Sequence, residues 1–187
     1  QGHVAYPHQA ANPVPALVRL CDGLIAAPLD AGNAVFQPSN LELTSLDVGN
    51  QVTNVIPAAA SARFNVRFTS DWTGETLVTE LRRRLDEVTL PTGVRYTLET
   101  TLSGEAFRTA PGALSEAVVA AVEAVTGRKP ELSTSGGTSD ARFIARYCPV
   151  IEFGGVGATM HKVDERQETA DIEALAAIYK DILKRLL

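Results

Sequence analysis

Apolar residues recur along this chain with two different periods, and the switches between them outline its elements. Residues 2–6 read as a short strand stopped by Pro7. Beyond a turn at Asn12-Pro13, Leu17, Leu20, Cys21, Leu24 and Ile25 recur at i, i+3, i+4, i+7 and i+8. That spacing predicts a helix entered near Pro15 and closed by Pro28 and Gly32. Leu41 and Leu43 then alternate with polar residues, while Leu46 and Val48 fall out of phase with them, which predicts a strand with a bulge. Ala62, Phe64, Val66 and Phe68 alternate with Arg63, Asn65 and Arg67, a strand with one apolar face. A turn at residues 71–74 leads to a helix with Leu77, Val78, Leu81, Leu85 and Val88 on one side, and its Arg82-Arg83-Arg84 run reads as a solvated face paired with Glu80. Pro91-Thr92-Gly93 turns the chain into a last alternation of Val94, Tyr96, Leu98 and Leu102. The order β-α-β-β-α-β is that of an α+β ferredoxin-like domain, assigned to residues 1–106.

Residues 107–187 have another character. Leu114, Val118, Val122 and Val125 predict a helix over 113–126 ended by Gly127 and Pro130. "STSGGTSDARFIARY" reads as a glycine turn into a short helix, and "PVIEFGG" as a buried strand. A last helix presents Ile172, Leu175, Ala176, Tyr179, Ile182, Leu183 and Leu186. This is the layout of the C-terminal portion of an α/β domain, but one strand cannot make a parallel sheet. The expectation is that the larger part of that domain precedes Gln1.

Composition narrows the function classes. A net charge of −5 with no basic stripe argues against a nucleic-acid partner. No apolar run approaches the roughly 18–20 residues needed to cross a bilayer. The first residues lack the layout of a secretory signal, so a cytoplasmic location is expected. Cys21 and Cys148 stand far apart among apolar neighbours and are read as two reduced, buried thiols.

Four stretches carry candidate chemistry. In "GGTSD" (136–140) two glycines allow a close backbone approach to a ligand, and Ser139-Asp140 are placed to cap a helix; an ordinary capped turn explains the same residues. "GGVGATMHK" ends in His161, beyond the expected strand, where α/β folds place their sites; a structural histidine is the plainer account, and neither Asp164 nor Glu165 stands at a metal-binding spacing from it. His3 and His8, separated by Pro7, cannot share a helix face. Asn54 in "TNVIP" carries little signal alone.

Taken together, "GHVAYPHQAANP", "NVIP", "FNVRF", "LSGEAF", "SGGTSDARFIA" and "ATMHKVDE" resemble, in order and spacing, the succinyl-diaminopimelate desuccinylase family of the di-zinc aminoacylase/carboxypeptidase clan. The resemblance covers essentially the whole chain. It implies a lid and dimerisation domain over residues 1–106 and the C-terminal segment of a zinc-binding catalytic domain over 107–187. The implied activity is removal of succinate from N-succinyl-diaminopimelate in lysine and diaminopimelate biosynthesis. Two zinc ions per full-length protomer would activate a water for attack on the amide carbonyl. By the same resemblance His161 is a zinc ligand, and His3 and Asn54 are catalytic groups that reach the partner subunit's site across a homodimer. Tyr6, Arg67, Ser103, Gly137 and Thr138 match substrate-holding positions. One departure is Gly157, where the family commonly has asparagine, and this bears on which acyl substrate is taken. Two alternatives stand beside this reading. One is a related acetylornithine-type deacylase or aminoacylase, and the other is a non-enzymatic ferredoxin-like dimerisation module. Either way the chain alone is expected to be inactive and to hold an incomplete metal site.

Overall fold

The computed structural model describes residues 1–91, 94–135 and 139–187, arranged in two units, Gln1–Ala106 and Phe107–Leu187, each with its own core. Among the described residues no helix is long and apolar enough to cross a membrane.

In the first unit the elements in chain order are β1 (Gly2–His3), α1 (Pro13–Ile25), β2 (Asn40–Asp47), β3 (Val55–Ile56), β4 (Ser61–Arg67) and α2 (Gly74–Thr89). The Asn12 side chain accepts the Val14 N–H at 3.1 Å, so the expected turn at Asn12-Pro13 is the cap and first turn of α1. Leu20 and Leu24 of α1 close on Leu77, Leu81 and Leu85 of α2, and Leu41, Phe64 and Val66 of the strands pack against them. Burial of such side chains contributes roughly 1.5–3 kcal/mol each.

β2 and β4 pair antiparallel, Asn40 opposite Arg67 and Asp47 opposite Ser61, with the register slipping between Leu43 and Ser45. That slip is the bulge expected from the phase change. With Thr44 as the extra residue, Leu46 falls opposite Ala62 and so returns to the face of Phe64 and Val66. β1 pairs with β3, Gly2 opposite Ile56 and His3 opposite Val55. The first strand is shorter than residues 2–6 because the Tyr6 N–H turns back to the His3 carbonyl at 2.9 Å.

Residues 94–102 alternate as expected, with Val94, Tyr96 and Leu98 half-buried, but join no strand ladder. Their polar groups go to α2 instead: the Tyr96 hydroxyl donates to Asp86 at 2.7 Å, and Arg82 donates to the Leu98 carbonyl at 3.4 Å.

The arginine run of α2 is not uniformly solvated. Arg84 is buried, and its guanidinium donates to the carbonyls of Leu24 (3.1 Å), Ala27 (2.6 Å) and Pro28 (2.9 Å) and to Glu80 (2.8 Å). The i, i+3/i+4 pattern of α2 explains why: Arg84 lies three residues after Leu81, on the helix edge that faces α1. It thereby satisfies carbonyls at the C-terminal end of α1, which would otherwise lack donors.

Asp30 joins three further segments. One of its carboxylate oxygens accepts the N–H groups of Gly32 (2.8 Å) and Ser39 (2.9 Å), and the other accepts the Trp72 indole N–H at 2.7 Å.

The second unit holds α3 (Ala113–Thr126), α4 (Ala141–Ile144) and α5 (Thr169–Leu186). Gly127, at φ 69°, closes α3 in the left-handed conformation that glycine adopts without a Cβ penalty. Val118, Ala121 and Val122 of α3 meet Ile178 and Ile182 of α5, with Leu114, Ile151 and Phe153 packed beside them. The buried line of α5 is therefore rotated from the expected one: Ile172, Tyr179, Leu183 and Leu186 are exposed, and Ile178 takes the central place. An apolar stripe wider than one partner helix can cover explains the error.

Residues 149–155 carry no regular secondary structure, and among the described residues the run joins no ladder and is not buried on both faces. Its backbone is served by side chains. Thr109 Oγ1 bonds both Val150 backbone groups, and the Tyr179 hydroxyl donates to the Phe153 carbonyl. Both cysteines are free, as expected, but Cys148 is exposed and only Cys21 is buried; burial pushes the Cys21 thiol up.

Replacing Arg84 by alanine should destabilise the first unit by about 3 kcal/mol, since it orphans buried carbonyls and removes one of the two guanidinium partners of Glu80. Arg83→Ala, which removes only exposed pairs, should cost about 0.5 kcal/mol or less in the same urea titration. Asp30 predicts an acid dependence. Burial pushes its carboxyl up, but hydrogen bonds from Ser39, Gly32 and Trp72 outweigh this and hold it at about 2. A folded value below the unfolded one means stability that is full above about pH 4 and is lost as pH falls towards 2. Glu80, held at about 2 by hydrogen bonds from Arg83 and Arg84 against desolvation, acts in the same direction. Asp30→Asn should therefore flatten part of the acid limb of a stability–pH profile, and an unchanged profile would remove Asp30 as its source.

Candidate functional site

Two of the sequence-derived candidates are brought together by the pairing of β1 with β3. His3 stands opposite Val55, and the next residue, Val4, donates its N–H to the Asn54 carbonyl at 3.1 Å. His3 and Asn54 thus sit at the same end of one two-stranded ribbon, both exposed. Asn50 builds the turn beneath Asn54: its side chain accepts the Val52 N–H at 3.1 Å and donates to the Val55 carbonyl at 2.9 Å. Sequence reasoning passed over Asn50. Its signal is an asparagine placed two residues before a tight turn, where its side chain mimics a backbone turn.

Tyr6 belongs to the same cluster. Its ring centroid lies 5.8 Å from that of His3 and 6.4 Å from that of His8, the latter edge-on at 87°. The Ala5 N–H donates to Nδ1 of His3 at 3.1 Å, and Pro7–Gln9 forms a short 3-10 turn that carries His8 back beside Tyr6.

Arg67 ends β4 on the polar face, opposite Asn40. Ser103 is exposed between two anchored neighbours. Leu102 packs so close to Gly74 that a Cβ there would lie 2.7 Å from it, and Glu105 accepts the Gly74 N–H at 3.1 and 3.2 Å. The start of α2 thus holds the segment that carries Ser103 through the Glu105 carboxylate.

In the second unit, His161 lies on an exposed loop clipped at its base, where the Thr159 hydroxyl donates to the Arg166 carbonyl (2.8 Å) and accepts the Arg166 N–H (3.0 Å). His161 and Asp164 both adopt left-handed backbone conformations, φ 59°. Non-glycine residues held there concentrate at functional sites. The His161 N–H reaches the Glu165 carboxylate at 3.3 Å. A shallow cleft of about 360 Å³ adjoins this loop, lined by Gly155, Gly157, Thr159, Met160, Glu165 and Arg166 among others. Gly137 and Thr138 lie outside the described residues. Of the Ser139-Asp140 pair, Ser139 caps the following turn by accepting the Ala141 N–H at 3.0 Å, and Asp140 makes no capping bond. Among the described residues no group of three His, Cys, Asp or Glu side chains could hold a metal ion.

Comparison with known proteins gives this geometry a context. Residues 1–93 match the peptidase dimerisation domain of the M20 family. Along 99% of its length the chain is 58% identical to a succinyl-diaminopimelate desuccinylase of Methylorubrum populi, covering 48% of that protein. Desuccinylases of Xanthobacter autotrophicus, 58% identical, and Rhodopseudomonas palustris, 56% identical, are matched over 99% of the chain and 48% and 47% of their own lengths. The chain spans about half the length of the curated relatives it matches. Residues 1–93 thus carry a peptidase dimerisation domain, and along nearly all of its length the chain is similar to succinyl-diaminopimelate desuccinylases.

Proposed function

We propose that the full-length protein to which this chain belongs removes succinate from N-succinyl-diaminopimelate in the cytoplasm. The observation that carries this is identity of 58% sustained over 99% of the chain with proteins named for that activity. Residues 1–106 act as the lid and dimerisation domain, a ferredoxin-like arrangement in which residues 94–102 take the place of the last strand. Residues 107–187 act as the C-terminal segment of the catalytic domain, whose remaining strands flank residues 149–155. The half-buried alternation of Val94, Tyr96 and Leu98, and of Ile151 and Phe153, supports both placements.

The residues of this chain do not by themselves fit a zinc ion, since His161 has no two companion ligands among the described residues. In the full-length protein zinc would supply a polarised water and Lewis acidity. This chain's own part is to bring donors to the reacting amide. His3 and Asn54, side by side on the β1–β3 ribbon, are the pair offered across a homodimer to the partner's site. Their proximity on one rigid edge suits stabilisation of a developing oxyanion, for which a preorganised donor is typically worth about 3–4 kcal/mol. Arg67, with Tyr6, Ser103, Gly137 and Thr138, holds the substrate, and a guanidinium suits one of its carboxylates.

The full-length protein, purified with Zn²⁺, should hydrolyse N-succinyl-diaminopimelate in a succinate-release assay, and His161→Ala should lose about one of two metals by elemental analysis. Hydrolysis of acetylornithine with no action on the succinylated substrate would move the assignment to the related deacylase. The 187-residue chain alone should sediment as a dimer and retain no zinc after gel filtration. Stoichiometric retained zinc would contradict the assignment of most ligands to the rest of the protein.

A further inference from the structure

The cluster around Tyr6 contains a bond whose direction is fixed by chemistry. The Ala5 backbone N–H can only donate, and it points at Nδ1 of His3 at 3.1 Å. A neutral imidazole has one donor and one acceptor nitrogen, so Nδ1 must be the acceptor here and the proton must sit on Nε2. The same turn holds the ring from its backbone side, because the Tyr6 N–H donates to the His3 carbonyl at 2.9 Å. Next to the imidazole stands the Tyr6 ring, tilted 52° at 5.8 Å, and behind Tyr6 stands His8, edge-on at 6.4 Å. The contact His3 makes with Tyr6 is through the phenol ring, and among the described residues no hydrogen bond joins the Tyr6 hydroxyl to either histidine.

We infer that the His3–Tyr6 turn locks His3 as the neutral Nε2–H tautomer, a single outward-facing donor, with Tyr6 as its positioning residue and His8 as the buttress of Tyr6. This gives His8, which no part of the desuccinylase reading uses, a role through its ring. It deepens that reading, which needs a donor at His3, yet the tautomer itself is a property of this chain and is read without turnover. One net hydrogen bond of ordinary strength corresponds to about a tenfold excess of the favoured tautomer.

The experiment is nitrogen-15 NMR of the imidazole-labelled 187-residue chain, at a pH where histidines are neutral, with the backbone amide spectrum as the check on folding. His3 should show a protonated Nε2 and a bare, pyridine-type Nδ1, in about tenfold excess over the other form. Tyr6→Phe should keep that ratio and the His3 ring order, while Tyr6→Ala should lower the order and bring the tautomer ratio down towards that of a free histidine; His8→Ala should do so to a smaller degree. A His3 in the Nδ1–H form, or in no more than the tautomer ratio of a free histidine, overturns the lock. Equal losses in folded Tyr6→Phe and Tyr6→Ala overturn the ring-positioning role. Neither outcome bears on whether succinylated diaminopimelate is the substrate, which the succinate-release assay decides separately.

Discussion

The first unit depends on one buried guanidinium. α1 ends where three carbonyls, those of Leu24, Ala27 and Pro28, lack partners from the helix itself, and Arg84 supplies donors to all three. Without it the α1–α2 leucine core would be closed by a helix end that must either reach water or fray. The Glu80 carboxylate, one turn earlier on α2, neutralises the charge that Arg84 brings inside. Asp30 then ties the chain leaving α1 to the start of β2 and to the turn before α2. An anion and a cation, each surrounded by backbone groups of the opposite polarity, thus fix how the two helices and the sheet meet.

That framework positions the candidate site through short steps. α1 begins at the Asn12 cap, and the 3-10 turn just before it carries His8 beside Tyr6. β1 leads into this turn, and its pairing with β3 sets His3 next to the Asn54 turn. Few residues separate the packed helix from the exposed imidazole, so little slack remains between them. In the second unit the corresponding economy lies in the loop of His161, which two hydrogen bonds of one threonine close at its base.

The elements that periodicity reveals well are those whose apolar face meets a single partner. α1, α2, α3 and β4 follow their patterns, save that Ile25 and Val125, at the ends of α1 and α3, are exposed, and the phase change between Leu43 and Leu46 located the bulge to within a residue. α5 misleads because its apolar stripe is broader than its contact with α3. Residues 94–102 and 149–155 show strand-like alternation without a ladder among the described residues, because alternation reports which face is buried, not where the backbone hydrogen bonds go; Arg82, Thr109 and Tyr179 bond carbonyls of these runs. Arg84 was misplaced for a related reason, since composition cannot tell a solvated arginine from one aimed at a helix end. At the candidate site, His3, Asn54 and His161 emerged from motif resemblance, and their local geometry was not written in any period. The ribbon that joins His3 to Asn54 arises from two pairs of residues far apart in sequence, below the length at which alternation is visible.

The two free cysteines acquire a use from their contrasting surroundings. Cys21 is enclosed in α1 with its thiol pushed up by burial, while Cys148 is exposed in the other unit. A thiol reagent can meet Cys148 directly, whereas Cys21 becomes available only when the leucine core parts. The slower of two alkylation rates on the same chain is thus an internal clock for breathing of the first unit, with the faster one as its built-in reference.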